Sequence, residues 1–184
     1  DDELLKTIAE LDKAVKYIDV PLQHSSRNQL ELMNRPVMDY RKLIKKIRKI
    51  IPGCAVRTSL ITGYPGETDE DFEELCCFIN DVKFDKLGVF EFSREINTKA
   101  DKLKPQIPAA IKHQRKKKLM ELQQKISLEL NKKLIGRKID CIVELINPSG
   151  IITARTYKDA PDVDGVIYIE TDKDAAPGSI DRKS

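Results

Sequence analysis

The chain has 184 residues, 40% hydrophobic and 34% charged, with a formal net charge of +3. That length bounds it to one domain, or one domain with a small partner, and its apolar content is enough for a real core. No apolar run approaches the roughly 20 residues of a membrane-spanning helix, so no membrane is implied. The opening Asp1-Asp2-Glu3-Leu4-Leu5 has neither the basic nor the apolar region of a signal peptide, which makes a cytoplasmic location the expectation.

Charge is unevenly spread. From Arg137 onward 7 Lys and Arg stand against 9 Asp and Glu, a net −2, while residues 1–136 carry 26 against 21, a net +5. An acidic segment is a poor nucleic-acid ligand and suits a basic partner. Cys54, Cys76, Cys77 and Cys141 have no Cys-x-x-Cys spacing and read as buried reduced thiols. With His24 and His113 the only histidines, no metal site is expected in this chain.

Leu4, Leu5, Ile8, Leu11 and Val15 recur at three- to four-residue spacing and predict an amphipathic helix from Asp2 to about Lys16. Tyr17 to Leu22 is a short β-type run, and Gln23-His24-Ser25-Ser26 forms the loop after it, where Gln23 and His24 can reach a ligand. A short helix from Arg27 to Asn34 and a stronger one from Tyr40 to Ile51 follow; the second is stopped by Pro52-Gly53, and its basic residues form a solvated face.

Arg57 to Phe72 then reads as a strand, a glycine turn and a capped helix. Val56 and Ser59–Thr62 make the strand, Gly63-Tyr64-Pro65-Gly66 ends it, and Thr68 caps a helix from about Asp69 to Val82. Such turns lie at the carboxyl end of a parallel sheet, where ligands bind. The glycines would let backbone amides approach a ligand, and Glu67 offers an acceptor for an amine or hydroxyl.

Asp85 to Phe92 gives a third strand, residues 93–101 a polar loop, and Ala109 to Leu134 one long helix with a basic run at Arg115–Lys118. Alternating helices and strands imply a parallel sheet with crossover helices, although three strands make only part of one. After Gly136 the composition shifts to β-branched residues and turns. Residues 138–146, 150–157 and 163–170 read as strands of a small β-module, with an acidic contact turn around Asp162 and Asp164. The polar run from Asp172 to Ser184 is expected to be mobile.

Three stretches carry a family resemblance: Tyr17-Ile18-Asp19-Val20-Pro21-Leu22-Gln23-His24; Arg57-Thr58 with Ile61-Thr62-Gly63-Tyr64-Pro65-Gly66-Glu67-Thr68; and Leu87-Gly88-Val89-Phe90-Glu91-Phe92-Ser93-Arg94-Glu95. They resemble the radical S-adenosylmethionine methylthiotransferases, and the resemblance extends over nearly the whole chain. The run from Arg155 to Gly165 looks like the signature of the branch that methylthiolates an aspartate of small-subunit ribosomal protein twelve. The tRNA-modifying relatives lack that acidic turn.

The resemblance implies an α/β fold: residues 1–135 as the C-terminal portion of a radical SAM partial (β/α) barrel, and 136–184 as a shortened, OB-like antiparallel TRAM module. It implies S-adenosylmethionine as cofactor and two 4Fe-4S clusters in the full-length enzyme. This sequence has neither cysteine triad, so the cluster ligands are expected outside the chain and the chain alone is expected to be inactive. Gly63, Gly66 and Glu67 would stand at the cofactor edge with His24. Phe90 and Phe92 would border the adenine, and Gln23 and Arg57 would contact the ribose or carboxylate. Tyr157, Asp159, Asp162 and Asp164 would contact a basic ribosomal-protein substrate. A tRNA methylthiotransferase, or a non-catalytic protein- or RNA-binding module, remains the alternative.

Overall fold

A computed structural model of the chain describes residues 1–170 and 175–183. Helix α1 (Asp2–Glu10) begins where the Asp1 carboxylate accepts from the Leu4 amide at 2.8 Å. The apolar spacing predicts it onward to Lys16, but Leu11 is extended and Lys16 Nζ folds back on the carbonyls of Ala9 and Leu11, each at 3.0 Å. Those bonds satisfy the last carbonyls of a helix that stops early.

Strand β1 (Tyr17–Asp19), helix α2 (Arg27–Leu32), helix α3 (Tyr40–Ile50) and strand β2 (Ala55–Thr62) follow. Helix α4 (Asp69–Val82) has the predicted bounds because both ends are encoded locally. Thr68 and Asp71 form a capping box at its start, and Lys83 closes it in a left-handed conformation at φ 51°. Strand β3 (Lys86–Glu91) leads to a one-turn helix α5 (Lys99–Lys102) and then to α6 (Ala109–Lys132). Helix α5 falls in the stretch expected to be loop, and Thr98 caps it by accepting from the Asp101 amide.

The first three strands form a parallel sheet in the order β1-β2-β3, with Asp19, Arg57 and Lys86 in one row, Ser59 beside Gly88, and Ile61 beside Phe90. One face is the core. Val56, Leu60, Leu87 and Val89 pack there with Ile44 and Ile47 of α3, Phe72, Leu75 and Phe78 of α4, and Leu119 and Ile126 of α6. Alternation puts Arg57, Ser59, Ile61, Gly88 and Phe90 on the other face, where they are half-buried or exposed. The Phe90 ring is 55% exposed, so a large aromatic surface stands open beside the strand ends.

The second part is an antiparallel sheet of β4 (Ile139–Ile146), β5 (Ile152–Thr156), β6 (Ile167–Ile169) and β7 (Ile180–Lys183), in the order β6-β5-β4-β7. Its hairpin turn is held by Asn147 Oδ1, which accepts from the amides of Ser149 (3.1 Å) and Ile151 (2.9 Å). Cys141, Val143, Ile152 and Ala154 make its own small core. The expected mobility of the run from Asp172 is corrected at residues 180–183, whose backbone pairs with β4; residues 171–174 and 184 lie outside the described residues.

Candidate cofactor edge and domain seam

The glycine turn after β2 is built for internal contacts. Gly63 and Gly66 have φ of 73° and 81°, which side chains rarely adopt. Their amides, expected to face a ligand, are already used: Gly63 N donates to Glu67 Oε2 at 2.7 Å, and Gly66 N to the Pro105 carbonyl at 2.9 Å. A Cβ at Gly63 would run into the Lys112 side chain, and one at Gly66 would lie 3.3 Å from Leu32. The close approach these glycines permit is therefore to α6 and α2.

Glu67 is the hub of this turn. It is 3% exposed and accepts from Gly63 N, from Thr62 Oγ1 at 3.4 Å, from the Arg115 guanidinium and from His24 Nε2 at 3.1 Å. His24 is fully buried, and its Nδ1 accepts from the Ser26 amide at 3.0 Å. That bond assigns a neutral imidazole with its proton on Nε2, donated to Glu67. The ligand-facing acceptor expected on Glu67 and the loop histidine expected at 24 are both turned inward, because an unpaired buried carboxylate would be costly. Beside them Asp71 accepts from Ser26 Oγ, from Asn28 at 2.8 Å and from the Thr68 amide at 3.1 Å. Burial pushes its carboxyl up, but those bonds and one from Gln29 prevail and hold it below the usual carboxylate range.

On the open side stand different groups. Gln23, half-buried between buried Leu22 and His24, has φ 70° and exchanges backbone bonds with Ser59 (3.0 Å) and Ile61 (2.8 Å). The Ser25 hydroxyl next to it is buried without a partner. With the Phe90 ring these make a mixed polar and aromatic edge at the carboxyl ends of the strands, and such an edge fits an adenosyl group. Phe92 contributes less than expected. Its amide bonds the Thr62 carbonyl, its own carbonyl accepts from Lys112 Nζ at 2.7 Å, and its ring meets Tyr64 edge-on at 4.9 Å. Arg57 stands apart, paired with Asp19 at 3.2 Å and roughly 20 Å along the strand from Gly63. Among the described residues no group of three or more His, Cys, Asp or Glu is placed to hold a metal ion, so these residues do not fit an iron-sulfur cluster.

The acidic turn of the second part lies at the other end of the sheet. Tyr17 donates its hydroxyl to Asp164 at 2.7 Å, Lys86 pairs with Asp159 at 2.5 Å, Lys158 with Asp85 at 3.1 Å, and Tyr157 donates to the Gly53 carbonyl at 3.1 Å. Each barrel-side partner sits at the amino-terminal end of β1, β2 or β3. Burial, then the bond to Asp164, push the Tyr17 phenol above its ordinary value. Tyr157, Asp159 and Asp164, expected to meet a substrate, are thus occupied as a brace between the two parts; of the three aspartates Asp162 alone is exposed. Cavities of about 680 and 520 Å³ flank this seam, and Gln23, Gly63 and Phe90 line neither. Sequence reasoning missed Arg115, which reads only as the start of a basic run, and Lys112, Lys86 and Tyr17, which carry no local signal.

Residues 1–79 match the Radical SAM superfamily and residues 135–182 the TRAM domain. The ribosomal protein uS12 methylthiotransferase RimO of Alkaliphilus oremlandii is 48% identical over 171 residues, covering 91% of this chain and 39% of the relative. The RimO of Caldanaerobacter subterraneus subsp. tengcongensis is 44% identical over 179 residues, 96% of this chain and 41% of the relative. That of Thermus thermophilus is 40% identical over 172 residues, 92% and 39%. The chain spans about two fifths of the length of the curated relatives it matches. No helix among the described residues is long and apolar enough to cross a membrane. With identity of this level over nearly its whole length, the chain is similar to the uS12 methylthiotransferases, and its first 79 residues match the Radical SAM superfamily.

Proposed function

We propose that this chain forms the cofactor edge and the TRAM module of a methylthiotransferase that modifies an aspartate of ribosomal protein uS12. The observation that carries the reading is identity of 40–48% to RimO proteins over 91–96% of the chain, a span that takes in both the barrel part and the acidic turn. The open face of the sheet supports it. Gln23 and Ser25 hold polar groups of S-adenosylmethionine, Phe90 lies against its adenine, and Gly63, Gly66, Glu67 and His24 shape the edge from behind. Arg57, tied to Asp19, lines the same face further from the strand ends.

When held by Gln23, Ser25 and Phe90, S-adenosylmethionine would supply, with electrons from outside this chain, the hydrogen-abstracting chemistry at the aspartate β-carbon; the sulfur would come from a donor outside this chain and the methyl group from a second S-adenosylmethionine. In this reading both clusters take their ligands from outside the chain. The acidic balance after Arg137 favours a basic ribosomal protein over tRNA, and a ribosomal substrate places the activity in the cytoplasm. Of the acidic turn, Asp162 remains the residue open to that substrate.

The test is a chimera in which this chain replaces the matching segment of the Thermus thermophilus relative, reconstituted with iron and sulfide. Mass spectrometry should find a methylthio group on the aspartate of uS12. Modification of tRNA in place of uS12 would overturn the assignment, and so would a stoichiometric 4Fe-4S spectrum from the 184-residue chain alone.

A further inference from the structure

Arg115 opens the basic run of α6, yet it is 7% exposed. One guanidinium nitrogen bonds the Glu67 carboxylate and also the Glu67 carbonyl at 3.3 Å; the other bonds Asp69 at 2.7 Å, and the group lies 5.2 Å from the centre of the Phe72 ring. Burying a carboxylate with a guanidinium is not the cheapest way to pack a helix on a sheet, since apolar residues of similar volume do it at least as well. What a bonded fork adds is direction: it fixes the distance and the angle of the group it holds.

What it holds is the junction of two loops. Gly63 and Gly66 flank one, and Gln23 at positive φ begins the other. They meet at the Glu67–His24 bond. One turn earlier on α6, Lys112 holds the Phe92 carbonyl just beyond β3. Helix α6 therefore grips the carboxyl ends of β2 and β3 from the core side, and the loop after β1 through the Glu67–His24 bond, opposite the open face that carries Gln23 and Phe90.

We propose that Arg115 is a positioning residue for the cofactor edge, locking Glu67 and, through His24, setting the orientation of Gln23 toward S-adenosylmethionine. This rests on the function proposed above. Arg115 does not touch the cofactor in this arrangement.

Amide hydrogen exchange on the 184-residue chain reads the lock without any cofactor. In Arg115→Lys, which keeps the charge but loses the fork, exchange at Gly63 and His24 should accelerate about tenfold, while the α3 amides keep their wild-type rates. Glu67→Gln should accelerate the same amides. In the chimera, Arg115→Lys and Arg115→Gln should raise the KM and the equilibrium Kd for S-adenosylmethionine about tenfold with kcat changed less than about twofold, the pattern of lost cofactor binding. Unchanged exchange at Gly63 and His24 would overturn the lock. Faster exchange with unchanged KM and Kd would make Arg115 structural only and overturn the positioning role. If the unsubstituted chimera binds no S-adenosylmethionine, the proposed function fails and the positioning role with it, whatever the exchange data show of the lock.

Discussion

Lys86 at the start of β3 and Asp159 after β5 form an ion pair of 2.5 Å, and the same carboxylate accepts from the Thr156 amide at 3.0 Å and hydroxyl at 2.6 Å. The acidic turn is thereby closed onto the barrel. Asp159→Ala leaves Lys86 half-buried and unpaired and should cost about 1–3 kcal/mol. Asp162→Asn, at an exposed neighbour whose left-handed φ of 60° Asn also tolerates, should leave the urea midpoint unchanged. A double-mutant cycle with Lys86→Ala should show coupling of about 0.5–3 kcal/mol. Equal effects at 159 and 162 would argue against a brace.

Acid should weaken the fold through Asp71 and Asp159. Burial raises both carboxyls, but hydrogen bonds outweigh it, chiefly from Ser26 for Asp71 and from Lys86 and Thr156 for Asp159, so both are held below their ordinary value. A carboxyl with a depressed folded pKa adds stability above its unfolded pKa of about 3.9 and loses it as pH falls through the folded one. Urea midpoints should stay level down to about pH 4 and then drop. In Asp71→Asn the chain should be weaker at neutral pH and the drop below about pH 4 shallower. A drop of undiminished steepness in that variant would show that Asp71 does not carry it.

Thiol reactivity should separate two adjacent cysteines. Cys76 points into the core, and burial pushes its thiol up to about 11, whereas Cys77 is exposed. Iodoacetamide acts on thiolates, so the native chain should be alkylated at Cys77 first. Cys54, Cys76 and Cys141, all buried, should follow only on unfolding. Peptide mass spectrometry reads the order, and alkylation of Cys76 at the rate of Cys77 would contradict the packing of α4.

What the sequence made legible was what it encodes within a few residues. The bounds of α4 follow from Thr68, Asp71 and the end of an apolar stripe, and Gly63 with Gly66 marked a turn that does end β2. Strand β7 was not legible, because Ile180-Asp181-Arg182-Lys183 has no alternation of its own and is a strand only by pairing with β4. Helix α1 was overextended because Leu11 and Val15 keep helical spacing after the backbone has left the helix; both side chains are exposed. The site divided the same way. Gln23 and Phe90 were singled out from strand ends and resemblance, but the direction in which Glu67 and His24 point depends on Arg115, 48 residues beyond Glu67. A basic run cannot announce which of its members turns inward.

Gly63 offers the sharpest check on that inward turn. At φ 73° any other residue is strained by about 1–2 kcal/mol, and an added Cβ must also displace the Lys112 side chain. Gly53 is the comparison, with φ 77° and nothing nearer to an added Cβ than the Tyr157 hydroxyl at 3.9 Å. Gly53→Ala should therefore report backbone strain alone, and Gly63→Ala strain plus collision. Lys112 can yield only by releasing the Phe92 carbonyl it holds at 2.7 Å, which frees the end of β3. The excess of Gly63→Ala over Gly53→Ala should be about 1 kcal/mol, the size of one hydrogen bond, and should shrink in a Lys112→Ala background, which keeps only the Cβ 3.1 Å away. Denaturant midpoints of the four variants measure it. Equal losses at 53 and 63 would mean that Lys112 does not close over the turn, and the cofactor edge would then be open from the core side as well.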